Sequence, residues 1–333
     1  MSGYGPDTTT DEILDGLDLT GRRFVVTGAA SGLGQESARK LSAHGASVTV
    51  LARNGDRADG AARDVDATVP GADVYSGVVD LGDLASIRAF ADSYLSDHDS
   101  IDVLLNNAGV MACPLGRTAD GFETQFGTNH LGHFLLTARL LPALLAGDAP
   151  RVVTLSSAGH ARSDVDLDDP NFERTEYTEW AAYGRSKSAN ALFARELASR
   201  YGGSGLLSYS VHPGMIVTEL GRHLTDDLIK QMMAYRPRTD DAEAPIRSAE
   251  DAKAAGMSFK SVESGAATQL WGATSQDPDL LTHNGAYLAN CGLGVAGADP
   301  RGNGYAPHIA NDETATRLWE LSERLVGEAF PNA

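Results

Sequence analysis

From Phe24 onward, short runs rich in β-branched residues alternate with longer stretches in which apolar residues recur at helical spacing. The runs Phe24–Thr27, Ser47–Leu51, Asp73–Val79, Asp102–Leu105, Arg151–Leu155 and Leu207–Val211 predict strands. Leu33–His44, Leu84–Ser96, Phe122–Leu145 and Glu179–Tyr201 predict the helices between them. Strands that are apolar almost throughout, with a helix after each, imply an α/β fold whose parallel sheet is covered on both faces. Right-handed crossovers then give a doubly wound sheet. Ahead of the first strand the chain is polar. Thr10 is placed to cap a short helix from Asp11 to Leu17, with Ile13, Leu14 and Leu17 on one face. Residues 1–20 are therefore expected to form a strap on a single domain spanning 21–333.

Two stretches break the alternation. Gly159 to Trp180 is long and acidic, with Asp164, Asp166, Asp168 and Asp169, and ends in the aromatic residues Tyr177 and Trp180. Gly221 to Lys260 carries Met232, Met233 and Tyr235, followed by the polar run Thr239–Glu243. Connections this long in a compact domain are functional lids or disordered. Neither has the composition of a linker, so the second is expected to be a substrate lid inserted at about 221–262.

A formal charge of −18 argues against nucleic acid or an anionic membrane as a partner, since both require a basic face. The acidity comes mainly from Asp, and Arg outnumbers Lys, which fits either a salt-adapted or a GC-rich source. The two cysteines, Cys113 and Cys291, are far apart and read as buried free thiols. No basic segment followed by an apolar run opens the chain, and no apolar stretch reaches the length of a membrane span. A soluble cytoplasmic protein is expected.

The candidate chemistry begins with Thr27-Gly-Ala-Ala-Ser-Gly-Leu-Gly34, which follows the first strand and opens a helix. Gly28, Ser31, Gly32, Leu33 and Gly34 would let the backbone approach a pyrophosphate at a helix N-terminus. After the second strand come Ala52, Arg53 and Asn54, where a dinucleotide fold meets the adenine ribose. Ala52 cannot hold a free 2′-hydroxyl, whereas Arg53 can pair with a 2′-phosphate, so NADP(H) is favoured and NAD(H) stays open. Asp80 and Leu81 are placed for the adenine. Asn107, Ala108 and Gly109, at the end of the fourth strand, are placed for the nicotinamide ribose.

Tyr183 and Lys187, four residues apart on a helix, project from one face. A fixed ammonium near a phenol favours the phenolate, so Lys187 is expected to lower the pKa of Tyr183 and suit it to acid–base work. Ser157, just past the fifth strand, can orient a carbonyl oxygen. Asn129 is placed to anchor a water between Lys187 and solvent. His130 and His133 lack a third ligand at zinc-site spacing and read as helix packing, and the aspartates at 164–169 as a solvated loop, so no metal site is expected. Met232, Met233 and Tyr235 read equally as pocket lining or lid packing.

Taken together these residues resemble the short-chain dehydrogenase/reductase family over nearly the whole chain. Thr27–Gly34 is similar to its cofactor fingerprint, Asn106–Gly109 to its sheet-edge motif and Tyr183–Lys187 to its catalytic pair. The resemblance implies a Rossmann fold and a proton-relay tetrad of Asn129, Ser157, Tyr183 and Lys187. It also implies that Pro213, Gly214, Ile216 and Thr218 line the nicotinamide, and that a homodimer forms through Phe122–Leu145 and Glu179–Tyr201. Within the family the Ser157–Tyr183 gap, Ser186–Asn190 and Arg317–Arg324 look like retinol dehydrogenases and the catalytic part of WW-domain oxidoreductases, though neither a WW module nor an apolar anchor is seen. The expected activity is hydride exchange between NADP(H) and a small-molecule secondary alcohol, ketone or aldehyde, bulky and apolar to suit the lid. A non-catalytic NADP sensor is the alternative. A nucleotide-sugar epimerase or dehydratase ranks lower, because three residues rather than two separate Gly28 from Gly32.

Overall fold

The computed structural model describes residues 3–235 and 259–332. Eight strands form one sheet in the order β3-β2-β1-β4-β5-β6-β7-β8. They are β1 (Arg23–Thr27), β2 (Ser47–Ala52), β3 (Val74–Val78), β4 (Val103–Asn106), β5 (Arg151–Leu155), β6 (Leu207–His212), β7 (Tyr287–Ala289) and β8 (Gly292–Leu293). All pairings are parallel except that of β8 with β7. The order reverses between β1 and β4, and there the helices that follow the two strands leave to opposite sides and open a crevice at the carboxyl edge.

Each face of the sheet carries its own core, because successive side chains on a strand point to opposite sides. Val25, Leu104 and Val152 pack with α4 (Leu84–Asp97), α6 (Gly132–Leu145), α7 (Glu179–Tyr201) and α11 (Asp312–Val326). Phe24, Val26, Val103, Leu105, Val153 and Val211 pack on the other side with α2 (Gly32–Ala43) and α9 (Val262–Thr274). The six predicted strands and the doubly wound parallel sheet are present, and β7 and β8 extend it.

The predicted elements differ in their ends and in several omissions. The strap helix, α1, runs Thr10–Leu14 and is capped by Thr9, not Thr10. Thr9 and Glu12 form a reciprocal capping box, and Asp15 with Gly16 (φ 70°) ends the helix before Leu17. Ile13 and Leu14 are buried on the main body, as a strap requires. The segment Phe122–Leu145 is not one helix: a short turn, α5 (Thr124–Phe126), leads through a π turn at Gly127–Leu131 into α6. The omitted helices include α3 (Gly55–Thr68), α9 and α11. α3 buries only Ala58, Ala61 and Val65, a stripe too small to register as amphipathic. α9 is buried nearly all round, so it has no polar face to give a period.

In the lid region the described residues form a 3-10 turn at Glu219–His223 and helix α8 (Asp226–Ala234). The rest of the predicted insertion, including Thr239–Glu243, lies outside the described residues. The acidic loop before Trp180 is not merely solvated. Asp169 is buried and its carboxylate accepts the N–H groups of Glu173, Arg174 and Thr175, which folds the loop about one side chain. Cys113 and Cys291 are buried and free. Among the described residues no helix is long and apolar enough to cross a membrane, and no side-chain cluster could hold a metal ion.

The two helices expected to pair in a homodimer already have a partner within the chain. α11 brings Trp319 against Phe134 of α6 (5.1 Å between ring centres) and Phe193 of α7 (5.9 Å), and Phe330 follows at 4.8 Å from Phe134. Assembly through those faces would require α11 to move. Phe134 is completely buried at the centre of this aromatic group. Phe134→Ala is expected to cost about 3–5 kcal/mol of stability, read from the urea unfolding midpoint. A loss below about 1 kcal/mol would mean that the group is not close-packed.

Candidate active site

The carboxyl edge of β1 turns directly into the glycine-rich loop. Gly28 and Gly32 adopt φ of +66° and +56°, a region that side chains disfavour. A Cβ on Gly28 would also lie 2.9 Å from the Cα of Ala108, so the loop and the end of β4 touch backbone to backbone. The Thr27 hydroxyl accepts the N–H groups of Asn107 and Ala108, each at 2.9 Å, and Asn107 Nδ2 donates back to Thr27 O at 2.8 Å. These bonds fix the two strand ends as one unit.

Above that unit opens a cleft of about 700 Å³. Gly28, Ser31, Gly32, Leu33, Arg53, Asp80, Leu81, Asn107, Ala108 and Gly109 line one wall, and Pro213, Gly214, Ile216 and Thr218 face them. Asp80 spends one carboxylate oxygen on the N–H of Gly82 (2.8 Å). Two candidates fall outside the lining. Asn54 caps α3 by accepting the N–H of Arg57 at 3.0 Å, because the chain must start a helix there. Gly34 lies beneath the loop, where a Cβ would come within 2.5 Å of both Asn107 Nδ2 and Gly28 O. Its role is close packing. The glycine turn at the start of α2, open toward a cleft that a Cβ would obstruct, fits a dinucleotide pyrophosphate.

The cleft continues to Ser157, Tyr183 and Lys187. Ser157 ends the extension of β5, and its hydroxyl accepts the N–H of Gly159 (3.1 Å), beside the ring of Tyr183. Ser156 turns the other way, donating to Lys187 O at 2.8 Å. Lys187 Nζ donates to Leu155 O at 2.9 Å and stands 5.7 Å from the centre of the Tyr183 ring. The expected acidification of the phenol is not found. Burial pushes Tyr183 up to about 12, with the Ser157 hydrogen bond pulling in the opposite direction. Burial also pulls Lys187 down to about 7. Both side chains are stripped of water, so each favours its neutral form, and desolvation outweighs their mutual attraction.

Asn129 occupies the π turn and does not line the cleft. Its carboxamide is committed to protein: Nδ2 donates to Val110 O (2.9 Å) and Ser186 Oγ (3.0 Å), while Oδ1 accepts from Val110 N (2.8 Å). Its peptide oxygen accepts from His133 Nδ1 at 2.9 Å. Ser186 in turn donates to Tyr183 O at 2.8 Å, so Asn129 braces the helix that carries the phenol. The expected water anchor is replaced by these direct bonds.

Sequence reasoning missed several residues of the cleft. His212 lies at its floor, with Nδ1 accepting the N–H of Ala158 at 3.3 Å. Arg57 and Glu219 line the dinucleotide end, Arg57 on the unrecognised α3. At the other end Arg162 stacks between Trp180 (4.6 Å) and Tyr235 (4.0 Å) and donates to the carbonyls of Gln231 and Met232. That stack holds α8 over an apolar patch of Met111, Trp180, Leu224 and Met232 beside Tyr183. Met232, Met233 and Tyr235 all line the cleft. Its arginines Arg53, Arg57, Arg162, Arg222 and Arg301 share the lining with only two carboxylates among the described residues, Asp80 and Glu219. In a chain of net charge −18, that reversal concentrates positive potential where an anion would bind.

The sequence profile of the short chain dehydrogenase family matches residues 22–229. Retinol dehydrogenase 12 of Mus musculus is 37% identical over 311 residues, covering 93% of this chain and 88% of that protein. A probable oxidoreductase of Streptomyces lividans is 37% identical over 91% of this chain and 97% of its own. An uncharacterised protein from Mycobacterium paratuberculosis has the same fold in its crystal structure, with a TM-score of 0.70, 34% identity and coverage of 96% of this chain and 98% of that one.

Four buried imidazoles surround the site and its supporting helix. Burial holds His130 and His212 down to about 3, and His133 and His160 to about 4. In the unfolded chain each takes up a proton near pH ~6.5, so they cost nothing above that pH. Below it the unfolded state binds protons that the fold refuses, and each imidazole destabilises by about 1.4 kcal/mol per pH unit. Urea midpoints taken at falling pH are expected to drop steeply below about 6.5, before carboxylates titrate. A flat profile down to about pH 5 would contradict the neutral, buried state of these rings.

Proposed function

The chain belongs to the short chain dehydrogenase family, and on that premise we propose an oxidoreductase that exchanges hydride between NADP(H) and a bulky, largely apolar secondary alcohol or its ketone, or an aldehyde. The family binds nicotinamide dinucleotides and acts on small molecules. The observation that carries the finer reading is the position of the Tyr183 hydroxyl. It lies with Ser157 in one continuous cleft whose dinucleotide end lies to one side and whose apolar patch lies to the other.

The dinucleotide, when bound, gives hydride to a carbonyl carbon or takes it from a carbinol carbon. In the reducing direction Tyr183 donates its hydroxyl proton to the substrate oxygen, and Ser157 holds that oxygen in place. A neutral phenol is the form this step needs, and burial keeps Tyr183 neutral at ordinary pH. Lys187 in its protonated form, made easier to deprotonate by burial, would return a proton to the phenol. Arg53 favours a phosphorylated adenosine ribose: it lines the dinucleotide end and forms no ion pair among the described residues. The substrate's apolar body rests on Met111, Trp180, Leu224 and Met232 beneath α8. A cytoplasmic location fits the free buried thiols.

Tyr183→Phe is expected to lower kcat for ketone reduction by about 10²–10⁴-fold while NADPH still binds. Retained turnover with cofactor bound would sink this reading, and a wild type that binds NADPH but turns over no carbonyl or alcohol in a broad panel would make the protein a sensor. Arg53→Ala is expected to weaken NADPH binding and leave NADH binding little changed, measured by titration calorimetry. Equal loss for both dinucleotides would count against the phosphate role.

A further inference from the structure

At the dinucleotide end, two donors converge on one acceptor from across the cleft. Arg57 Nη2 lies 2.8 Å from Glu219 Oε2, and Ser31 Oγ donates to the same oxygen at 3.3 Å. Glu219 comes from the far wall, directly after Thr218, whose Cγ2 lies 3.3 Å from the place a Cβ on Gly32 would take. The carboxylate is therefore held over the glycine turn by the backbone that follows β6. The neighbouring Arg53 forms no ion pair among the described residues, and position 52, at the end of β2, offers only a methyl group.

Serine hydroxyl and arginine are donors that a ribose 2′-phosphate recruits, and here a carboxylate already has both. A phosphate dianion approaching Ser31 and Arg57 must displace Glu219 and meets a like charge while doing so. A free 2′-hydroxyl meets no repulsion and can donate to the same carboxylate. We propose that Glu219 sets the choice between phosphorylated and unphosphorylated dinucleotide, acting as a resident occupant of the place a 2′-phosphate takes. The proposal rests on the dinucleotide reading above and adds a consequence to it. The wild type discriminates less than its cations alone would, because Glu219 penalises NADP(H) and supports NAD(H) from the opposite wall.

Direct binding tests this without turnover. Dissociation constants for NADPH and NADH are measured by titration calorimetry on the wild type, Glu219→Gln, Arg57→Ala and the double variant. Both side chains are solvent-exposed, so the fold is expected to survive each change. Glu219→Gln is expected to tighten NADPH by about two- to fivefold, the scale of one exposed ion pair, and to leave NADH unchanged or weaker. In the Arg57→Ala background most of that gain is expected to vanish. The proposal is overturned if Glu219→Gln leaves the NADPH to NADH ratio unchanged. It is overturned equally if both dinucleotides weaken alike, since Glu219 would then be a clasp over any dinucleotide. A wild type that favours NADH, with a ratio unmoved by Arg53→Ala, would defeat the NADP reading alone. Even then Glu219→Gln must shift the ratio towards NADPH for this proposal to stand.

Discussion

The joint between the ends of β1 and β4 is the constraint on which the site depends. Thr27 Oγ1 accepts two N–H groups from the β4 end and lies 3.0 Å from His133 Nε2. His133 Nδ1 faces a carbonyl oxygen, so that nitrogen carries the proton, and the bond reaches Asn129 at the π turn. Asn129 then bonds to Val110 and to Ser186, which sits one turn from Tyr183 on α7. One buried chain of hydrogen bonds thus runs from the glycine turn to the helix that carries the phenol. Burial makes each link costly to leave unmade, so the two halves of the cleft are held in register by polar groups as well as by packing. A π turn at this point is consistent with the rule that such irregularities persist where function requires them.

Removing water from the catalytic end has a chemical effect of its own. Among the described residues Lys187 has the carbonyl of Leu155 as its hydrogen-bond partner and no carboxylate, and burial pulls its pKa down to about 7. Tyr183 is kept protonated by the same desolvation. Desolvation therefore favours a neutral phenol and a readily deprotonated amine over a preformed phenolate and ammonium. That suits reduction, which starts by giving a proton away. In the oxidising direction the phenol must first lose its proton, and desolvation alone does not help it do so. The cleft's other cations, not Lys187 by itself, would have to stabilise that state.

Much of this was legible in the chain, and what was missed has specific physical causes. Five of the six predicted strands were readable because burial on both faces leaves near-continuous apolar runs, and the edge strand β3, largely exposed, by its β-branched and aromatic residues. Gly28, Gly32, Asn107, Ser157, Tyr183 and Lys187 all reach the cleft because each sits at a strand end or on one helix face, which spacing reveals. Asn54 and Gly34 were drawn into the cofactor set by position, yet one serves a helix start and the other a close backbone contact. Helix capping and packing use the same residue types as ligand binding, and a sequence does not distinguish the uses. Asn129 shows the same ambiguity: a buried carboxamide was foreseen, but not that protein groups would take its bonds. The pKa of Tyr183 was misjudged in direction because spacing reports the nearness of an ammonium and not the depth of burial.

The distribution of charge closes the argument. Acidic residues give the chain a net charge of −18, and a uniform spread would repel an anionic dinucleotide from every side. Instead the cleft gathers Arg53, Arg57, Arg162, Arg222 and Arg301 against two carboxylates among the described residues. Low-dielectric walls concentrate that local field, which favours an anion in this cleft. The same arrangement makes each carboxylate inside the cleft expensive, since it weakens the field the cations create. Asp80 is turned to the N–H of Gly82, which limits its effect. Glu219 is turned to Ser31 and Arg57, cancelling a cation where a phosphate would need one. On the proposal above, a carboxylate in that place moderates the choice between the two dinucleotides.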